Sequence, residues 1–545
     1  MPTSSTQFVA PPQQARLPYP YRPEVEVVDA VLETLRGRLD WSAVIQAARP
    51  WVAAVREKPA PFWAMESLLR EYPISSAEGL ALMRLAEALL RVPDVETAIA
   101  LTADQLGRAE FDAEAVADGP HRMLAGLSAS AIALSKKFLP GAEGEGGLLK
   151  RLGAKTVVAA TVRAIQLLGR QFVLGRTIAE AMDEAQSQRK ELEAARRGAA
   201  AATGLRFSYD MLGEGARTEH DAERYLASYA NAIGAISRGQ VAASPETADG
   251  ISIKLSALFS RYEDAQRDRV FAELLPRVWT LVQKAAAANL NLTIDAEESD
   301  RLELSLDVLD ALAARIAREF PRWKGFGLAV QAYQTRALAV VDTVADIARR
   351  HGLRFMVRLV KGAYWDGEIK RAQEGGLAGY PVFTHKAHTD VSYLACAQRL
   401  IAHADVIYPQ FATHNAGTIA AILQMARTKD AAFEMQRLHG MGEGVYREVM
   451  KDATVSCRVY APVGEHRDLL AYLVRRLLEN GANSSFVHQL ADSAVPPELL
   501  LASPLIAACP PAFPLPADLY PPEDGRVRRN STGADLAVLA ERAPL

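Results

Sequence analysis

The chain has 545 residues, of which 49% are hydrophobic and 23% charged, with a formal net charge of -3. This balance is typical of a soluble globular protein of roughly two to four domains and gives no sign of a surface for polyanions. No apolar run is long enough to span a membrane, no secretion signal is evident, and three cysteines lack paired spacing, which predicts a cytoplasmic protein without disulfides or a zinc site.

The first 197 residues divide into a short polar, proline-rich segment and a longer segment with helical periodicity. Residues 1–24 are rich in Pro, Gln and Ser and predict a flexible tail. Residues 25–197 show helical periodicity without strand-like alternation, which predicts an all-helical arm and domain. Thr177 and Glu180 have the spacing of a capping box and are expected to open a long charged helix.

Eight short apolar runs follow Gly204, and an amphipathic stretch comes after each of them. The runs begin at Leu205, Ile251, Leu290, Gly327, Arg354, Val406, Phe433 and Val455. Strand-then-helix alternation predicts parallel strands, and eight such units predict an α/β fold with a closed (β/α)8 TIM barrel over residues 198–495. An open doubly wound sheet is the alternative. Residues 496–545, which begin with many prolines, predict a linker or tail.

Polar residues are embedded in or follow every one of these runs. Because a parallel barrel has its active site at the carboxyl ends of its strands, and because buried charge is costly unless paired, we expect a large polar ligand there. For any single residue a structural ion pair remains the alternative. The candidates are Asp210, Glu214, Lys254, Asp295, Glu297, Glu298, Gln331, Arg358, Lys361, Thr413, His414, Asn415, Glu434, Gln436, His439 and Tyr460.

Short motifs narrow the choice of ligand. No phosphate-binding P-loop is present, and the glycine clusters do not fit a Rossmann dinucleotide site. His385 and His388 lack a third ligand at suitable spacing, so we interpret them as a solvent-facing helix surface and not as a metal site. Arg475 and Arg476, near Glu479 on the last helix, fit either a solvated ion-paired face or a clamp for a carboxylate.

Several longer runs, in order, resemble the proline dehydrogenase domains of bacterial bifunctional proline utilization A proteins. They are SIKLSAL, IDAEESDRLE, VQAYQ, RLVKGAYWDGEIKRAQ, YPQFATHNAGTI, LHGMGE and YAPVGEHRDLLAYLVRRLLENGANSSF. The similarity covers residues 205–487 almost continuously and extends more loosely upstream. It implies a distorted barrel whose eighth helix lies over the strand ends, together with FAD as the cofactor.

The resemblance also implies roles for individual residues. Arg475, Arg476 and Lys254 would bind the carboxylate of proline, and Glu214 would pair with Arg475 to close the site. The residues that would pack on the proline ring or orient the cationic groups are Tyr364, Leu438, Tyr460, Asp295 and Glu479. The positions that would contact FAD are Gln331, Arg358, Val360, Lys361, Gly362, Ala363, Trp365, Thr413, His414, Asn415, Glu434 and Ser485.

The implied activity is the oxidation of L-proline to Δ1-pyrroline-5-carboxylate, with electrons passed to a membrane quinone. Peripheral association with the inner membrane and a homodimer are further expectations. Nothing basic and ribbon-helix-helix-like precedes the helical region, so no DNA binding is expected. The second half of the family pattern, an NAD-dependent aldehyde dehydrogenase domain, has no counterpart here, which suggests a chain cut short before that domain.

Two other classes of function stay open on the residues alone. Lys254 could serve as the Schiff-base amine of an aldolase-type barrel. The fold could also persist in a non-catalytic regulator or scaffold. A yellow, flavin-containing protein distinguishes the dehydrogenase from both of these alternatives.

Overall fold

The structure is a computed structural model. It describes residues 8–10, 16–58, 173–195, 204–239, 243–429, 431–464, 486–492, 494–505, 508–520 and 528–545. Its centre is a closed barrel of eight parallel strands in sequential order, with β1 paired to both β2 and β8. The strands are β1 (Leu205–Met211), β2 (Gly250–Ile253), β3 (Asn291–Ile294), β4 (Phe326–Gln331), β5 (Phe355–Val360), β6 (Ile407–Ala412), β7 (Glu434–Leu438) and β8 (Cys457–Val463). The predicted (β/α)8 barrel is confirmed, and the open sheet is excluded.

Helices precede, surround and follow the barrel. In chain order they are α1 (Glu24–Leu35), α2 (Trp41–Glu57), α3 (Ile178–Ala195), α4 (Glu219–Gly239), α5 (Leu275–Ala287), α6 (Leu302–Glu319), α7 (Ala337–His351), α8 (Trp365–Glu374), α9 (Lys386–Ala402), α10 (Ala416–Arg427), α11 (Glu443–Val449), α12 (Phe486–Ala491), α13 (Pro497–Leu500) and α14 (Leu539–Arg542). Shorter helical turns are Leu255–Leu258, Asp264–Gln266, Arg267–Arg269, Val270–Leu274, Ser299–Arg301 and Pro516–Asp518. Within the described ranges, none of the helices has the length and apolar run that a bilayer crossing would require.

The barrel strands are buried on both faces, which explains why their sequences are nearly continuous apolar runs. All six residues of β4 are buried, and the surrounding helices turn apolar faces such as Val340, Val344 and Ile347 of α7 toward the sheet. This helix ends at Gly352, whose φ of 64° is the left-handed conformation that glycine adopts at low cost. A rigid packed layer therefore holds the strand ends in fixed positions.

The second strand is shorter than its apolar run. β2 ends at Ile253, and the residues after Lys254 form the helical turn Leu255–Leu258. Lys254 itself is extended, at φ -107° and ψ 130°, and lies at the boundary between strand and helix. The sequence placed this lysine within a strand, whereas the structure places it just beyond the carboxyl end of β2.

The capping box predicted for the charged helix is present. Thr177 accepts a hydrogen bond from the backbone N–H of Glu180 at 3.2 Å, and α3 begins at Ile178. The Glu180 carboxylate accepts from the backbone N–H of Arg176 at 3.1 Å, which completes the reciprocal pair one residue earlier than the ideal motif.

Two segments predicted as tails pack on the barrel instead. Arg16 forms ion pairs with Asp307 and Asp310, so residues 16–22 do not belong to a free tail. Near the other end of the chain, the Asn530 side chain donates to the backbone oxygen of Gln373 at 2.8 Å. The proline-rich composition was misleading, because extended segments without regular structure can still bury side chains and hydrogen-bond to a domain surface.

The prediction of a solvent-facing surface for His385 and His388 is wrong for the second histidine. His388 is 1% exposed and contacts Glu24 of α1, whereas His385 precedes α9 and is partly exposed. Helix α1 covers α9, so a surface that looks solvated within one helix becomes an interior contact. Among the described residues no group of three or more potential metal ligands occurs.

Candidate functional site

A cluster of charged side chains lies at the carboxyl ends of β1, β2, β3 and β8. The Lys254 ammonium donates to the Asp210 carboxylate at 2.9 Å and to Asp295 Oδ2 at 3.3 Å. The Tyr460 hydroxyl is 2.6 Å from Asp210 Oδ2 and 2.8 Å from Asp295 Oδ2, and it donates to one of them at a time. Four residues separated by up to 250 positions therefore form one hydrogen-bonded unit.

The charges of this unit stabilise one another. Burial by itself lowers the pKa of Lys254, but Asp210, Tyr460 and Asp295 outweigh it and hold that pKa well above its ordinary value. Burial raises the pKa of Asp210, and Lys254 acts in the opposite direction. Burial and the two carboxylates raise the pKa of Tyr460 well above its ordinary value. The lysine is thus a fixed cation and the tyrosine a neutral hydroxyl at neutral pH.

Arg358 of β5 connects this unit to the barrel interior. Its Nη1 donates to Asp295 Oδ1 at 2.7 Å, and its Nε donates to Gln436 Oε1 at 2.8 Å. Its Nη2 reaches the hydroxyls of Ser208 at 3.0 Å and Ser252 at 2.9 Å. The side chain is 2% exposed, so it is a structural core of the network and not a surface cation.

The network continues to the amino ends of the strands. Gln436 donates to Glu434 Oε1 at 2.9 Å, and Arg458 Nε donates to the same oxygen at 2.6 Å. Glu434 and Arg458 are both 0% exposed. Burial by itself raises the pKa of Glu434, but Arg458 lowers it below its ordinary value. We call the continuous chain of hydrogen bonds from Asp295 through Arg358, Gln436 and Glu434 to Arg458 the polar column.

Glu434 therefore differs from its predicted position. It is the first residue of β7, and its carboxylate oxygens accept from Gln410, Gln436 and Arg458. The expectation that it lies at the carboxyl ends is wrong, because its run begins with Phe433 and only the far end of the strand reaches the mouth. Its contact with a cofactor stays a prediction that this interior position does not favour.

Glu297 and Glu298, two further candidate site residues, pair with Arg301. Arg301 contacts Glu297 Oε2 and Glu298 Oε2, both at 2.9 Å, and Glu297 accepts from the backbone N–H of Ser256 at 3.0 Å. Burial raises the pKa of Glu297, and Arg301 opposes this. These contacts support the structural interpretation of the two acidic residues.

The loop after β5 brings several predicted cofactor residues together. Val360 pairs with Gln331 across the β4–β5 register, and Gln331 Oε1 accepts from Gln334 at 2.9 Å. Lys361 forms an ion pair with Asp390. Burial by itself raises the pKa of Asp390, but Lys361 and Lys386 lower it below its ordinary value. Asp390 was not among the sequence candidates, because it lies inside a helix and not at a strand end.

The backbone of this loop is compact. Gly362 has φ 145°, and a Cβ there would come within 2.4 Å of the Tyr333 ring, so only glycine fits. Ala363 and Tyr364 follow as partly buried residues, and Trp365 begins α8 with its indole N–H bonded to the Phe383 oxygen at 2.8 Å.

The loop after β6 carries a second set of predicted cofactor residues. Thr413 Oγ1 accepts from the backbone N–H of Asn415 at 3.2 Å, and Asn415 caps α10 by accepting from Thr418 N–H at 3.0 Å. His414 Nε2 accepts from the backbone N–H of Leu438 at 3.1 Å, which fixes the ring beside the end of β7. The amino end of a 12-residue helix and a neutral imidazole thus lie at the mouth.

A cavity of about 450 Å³ lies between the amino end of α3 and the ends of β7 and β8. Its lining includes Leu174, Arg176, Glu184, His439 and Gly464. The His439 Nδ1 atom is buried and has no hydrogen-bond partner among the described residues. Burial, with a smaller effect of Arg437, lowers the pKa of His439 to about 3.

Because the pKa of His439 is lowered, we expect the free energy of unfolding to depend on pH. An unfolded histidine titrates near pH 6.5, so below about pH 6 the unfolded chain takes up a proton that the folded protein excludes. The free energy of unfolding should therefore fall by ~1.4 kcal/mol per pH unit between about pH 6 and pH 4 from this residue alone. Urea unfolding followed by tryptophan fluorescence should show that slope reduced by this amount in His439→Gln. Identical slopes in both proteins would refute the assignment.

Some predicted residues are not tested by the structure. Arg475, Arg476, Glu479 and Ser485 lie outside the described residues. Glu214 lies in the loop after β1 and is partly buried, and Leu438 ends β7 beside His414. Asp210 is a sequence candidate without an assigned role, although its spacing from Ser208 on β1 places both side chains on the same side of the strand.

A closed barrel of eight parallel strands with charged side chains gathered at one end is the architecture of the (β/α)8 barrel enzymes. Within that class, the family model described as proline dehydrogenase matches residues 194–489. This match covers more than half of the chain, and the chain therefore belongs to the proline dehydrogenase family.

Individual relatives agree with this assignment. The bifunctional protein PutA of Escherichia coli K12 is 44% identical over 95% of this chain and 40% of its own length. The PutA protein of Rhizobium meliloti is 43% identical over 95% of this chain and 42% of its own length. A crystal structure of a mutant proline utilization A from Bradyrhizobium japonicum has a TM-score of 0.73 and 45% identity, covering 98% of this chain and 53% of that one. The chain thus spans about two fifths of the curated relatives' length and about half of the solved chain.

A second family match corrects one expectation. The model described as the DNA-binding domain of proline dehydrogenase matches residues 64–172. The matched residues lie within the predicted helical region, whereas a basic ribbon-helix-helix segment would precede that region. The expectation that the chain carries no such DNA-binding domain is overturned.

Proposed function

We propose that the barrel mouth binds FAD and L-proline and oxidises proline to Δ1-pyrroline-5-carboxylate. The observation that carries this proposal is the unit of Lys254, Asp210, Asp295 and Tyr460 at the carboxyl ends of the strands of a proline dehydrogenase family barrel. Its fixed cation attracts the substrate carboxylate, while its acidic side chains face the substrate amine.

The substrate side of the proposal rests on charge and position. Two carboxylates hold the Lys254 ammonium, so its charge is preorganised and needs no rearrangement when an anion approaches. Arg475 and Arg476 would add bidentate contacts to the proline carboxylate, with Glu214 and Glu479 pairing to these cations. Holding the carboxylate at several points orients the ring, which lowers the entropic part of the barrier.

The chemistry of the two neighbouring loops fits a dinucleotide with a pyrophosphate. The Lys361 ammonium and the amino end of α10 supply positive charge at adjacent strand ends. Gly362 lets the chain pass directly against the Tyr333 ring, where a side chain would clash. When bound, FAD would supply the two-electron acceptor that no side chain can provide.

The alternatives receive less support. A Schiff-base lysine needs a neutral amine, whereas the pKa of Lys254 is held well above its ordinary value, so an aldolase-type reaction is disfavoured. A non-catalytic scaffold would not require six charged groups to be arranged in one hydrogen-bonded network from mouth to base. A membrane quinone as acceptor, a cytoplasmic location with peripheral membrane association and a homodimer complete the proposal as family expectations.

The visible absorption spectrum of the purified chain, before and after anaerobic L-proline, tests cofactor and substrate together. We expect flavin bands near about 380 and 450 nm that bleach with L-proline but not with D-proline. Bands that persist with L-proline would refute the substrate. A colourless protein that FAD cannot reconstitute would refute the cofactor and restore the Schiff-base and scaffold alternatives.

A further inference from the structure

A second cluster of reactive side chains lies outside the barrel, where α1 covers α9. The sulfur of Cys509 is 3.3 Å from His388 Nε2, and His388 Nδ1 is 2.6 Å from Glu24 Oε1. Three segments far apart in the chain therefore bring a thiol, an imidazole and a carboxylate into line. No group of the polar column takes part in this cluster.

Surrounding hydrogen bonds define the protonation of each group. Glu24 accepts from the Thr384 backbone N–H at 3.0 Å and from the Thr384 hydroxyl at 2.7 Å. Burial by itself raises the pKa of Glu24, but the hydrogen bonds from His388 and Thr384 lower it, so the group is a carboxylate at neutral pH. His388 Nδ1 must then carry a hydrogen, which leaves Nε2 as an acceptor for the Cys509 backbone N–H at 3.4 Å and for the thiol.

The neighbouring histidine does not compete for this thiol. The His385 ring centre is 5.0 Å from that of His388, but its Nε2 donates to the backbone oxygen of Pro510 at 2.8 Å. Among the described residues of these two segments, Glu24 and His385 contact the His388 ring, and Thr384 acts on it through Glu24. With Nδ1 bonded to Glu24, Nε2 is the ring nitrogen that can accept the thiol proton.

The other two cysteines provide an internal contrast. Cys396 and Cys457 are 0% exposed, and burial raises the pKa of each to about 12. Cys509 differs from both because the residue is partly exposed. Nucleophile, base and orienting acid within hydrogen-bond reach are the arrangement that activates a thiol.

We propose that Cys509, His388 and Glu24 form a nucleophilic thiol relay and that Cys509 is a site of oxidation by small hydroperoxides. The thiol proton passes to His388 Nε2 while Glu24 stabilises the charged ring. The sulfur attacks the terminal peroxide oxygen, an S–O bond forms and the O–O bond breaks. The leaving hydroxide of hydrogen peroxide, or alkoxide of an alkyl hydroperoxide, takes the proton from His388 and leaves as water or an alcohol. Sulfur is oxidised by two electrons to a sulfenic acid, and the peroxide is reduced.

The modified residue would lie in a segment that supports the barrel mouth. Phe513, four residues further along, packs against Trp365 with ring centres 5.9 Å apart, and Ala512 donates its N–H to Thr384 at 2.8 Å. An added oxygen on the sulfur therefore disturbs packing next to the loop after β5.

The test uses the full chain with hydrogen peroxide and dimedone, which traps sulfenic acids, followed by peptide mass spectrometry. We expect label at Cys509 alone, forming at neutral pH about tenfold faster than on glutathione, because a free thiol is mostly protonated there. His388→Gln and Glu24→Gln should each slow the labelling, and Cys509→Ser should abolish it.

The outcomes are separable. A rate no faster than that of glutathione, or label on Cys396 or Cys457 in the folded protein, would overturn the proposal. If the two buried variants fail to fold, the pH dependence of labelling in the native chain decides. A rate that follows the titration of an ordinary thiol near about pH 8.5 contradicts the relay, and a rate already high near about pH 6.5 supports it.

Discussion

Replacing Arg458 by methionine is expected to destabilise the barrel by about 3–5 kcal/mol, the cost of leaving a buried carboxylate without its partner. Arg458 and Glu434 are both 0% exposed, and the guanidinium also donates to the Ala248 backbone oxygen at 2.7 Å. Methionine fills a similar volume, so the loss reports charge and hydrogen bonding and not a cavity. Urea unfolding of the full chain, followed by tryptophan fluorescence, measures the change.

Controls separate this effect from a general sensitivity to lost ion pairs. Lys370→Met removes an exposed i,i+4 partner of Glu374 and should leave the unfolding midpoint unchanged. The double variant Arg458→Met with Glu434→Gln should recover part of the loss, because the fully buried carboxylate is no longer charged and Arg206, 3.6 Å from Glu434, is the cation that loses a partner. A midpoint unchanged in Arg458→Met would show that the polar column does not hold the base of the barrel.

Replacing Lys254 by methionine is expected to lower kcat/KM for L-proline by about 10²–10³, the range for removal of one preorganised electrostatic group from an active site. Removing this cation leaves Asp210 with the Tyr460 hydroxyl as its partner in the unit, whereas Asp295 keeps its ion pair with Arg358. Because burial raises the pKa of Asp210 and Lys254 opposes this, the pKa of Asp210 should rise further in the variant. Steady-state kinetics with an artificial electron acceptor, together with the flavin absorbance of the variant, measures the change.

Retained flavin absorbance with the reduced kcat/KM would assign the loss to substrate binding and turnover. Lys284→Met, an exposed lysine on α5, is the matched control and should behave like the unmodified protein. Unchanged kinetics in Lys254→Met would remove the lysine from the site, and loss of flavin together with activity would assign it a role in cofactor binding.

The barrel could be predicted from the sequence because its strands are buried on both faces. Such strands are short apolar runs, and each observed strand begins within two residues of its predicted start. The helical periodicity between these runs identifies the crossover helices, and alternating strands and helices are compatible with few topologies. The resemblance to proline dehydrogenase domains added the family, which the comparisons confirm.

Partners across the fold could not be predicted in the same way. Glu434 looked like a ligand at the mouth because a charged residue in an apolar strand needs a partner, but Arg458 on the next strand supplies it. His388 looked exposed because its partners Glu24 and Cys509 are separated from it by 364 and 121 positions. Periodicity describes one element at a time, whereas these pairs depend on how distant elements meet.

The polar column has a consequence for how this barrel can change over evolutionary time. Each of its charged members contacts at least one other member directly, so a single neutral replacement leaves a partner unsatisfied inside the barrel. Substitutions of the charged residues in the barrel interior must then occur in pairs, such as Glu434 together with Arg458, if the fold is to stay stable. Exposed ion pairs on the outer helices, such as Lys370 with Glu374, can vary one residue at a time. We therefore expect the two positions, one on β7 and one on β8, to covary among related sequences.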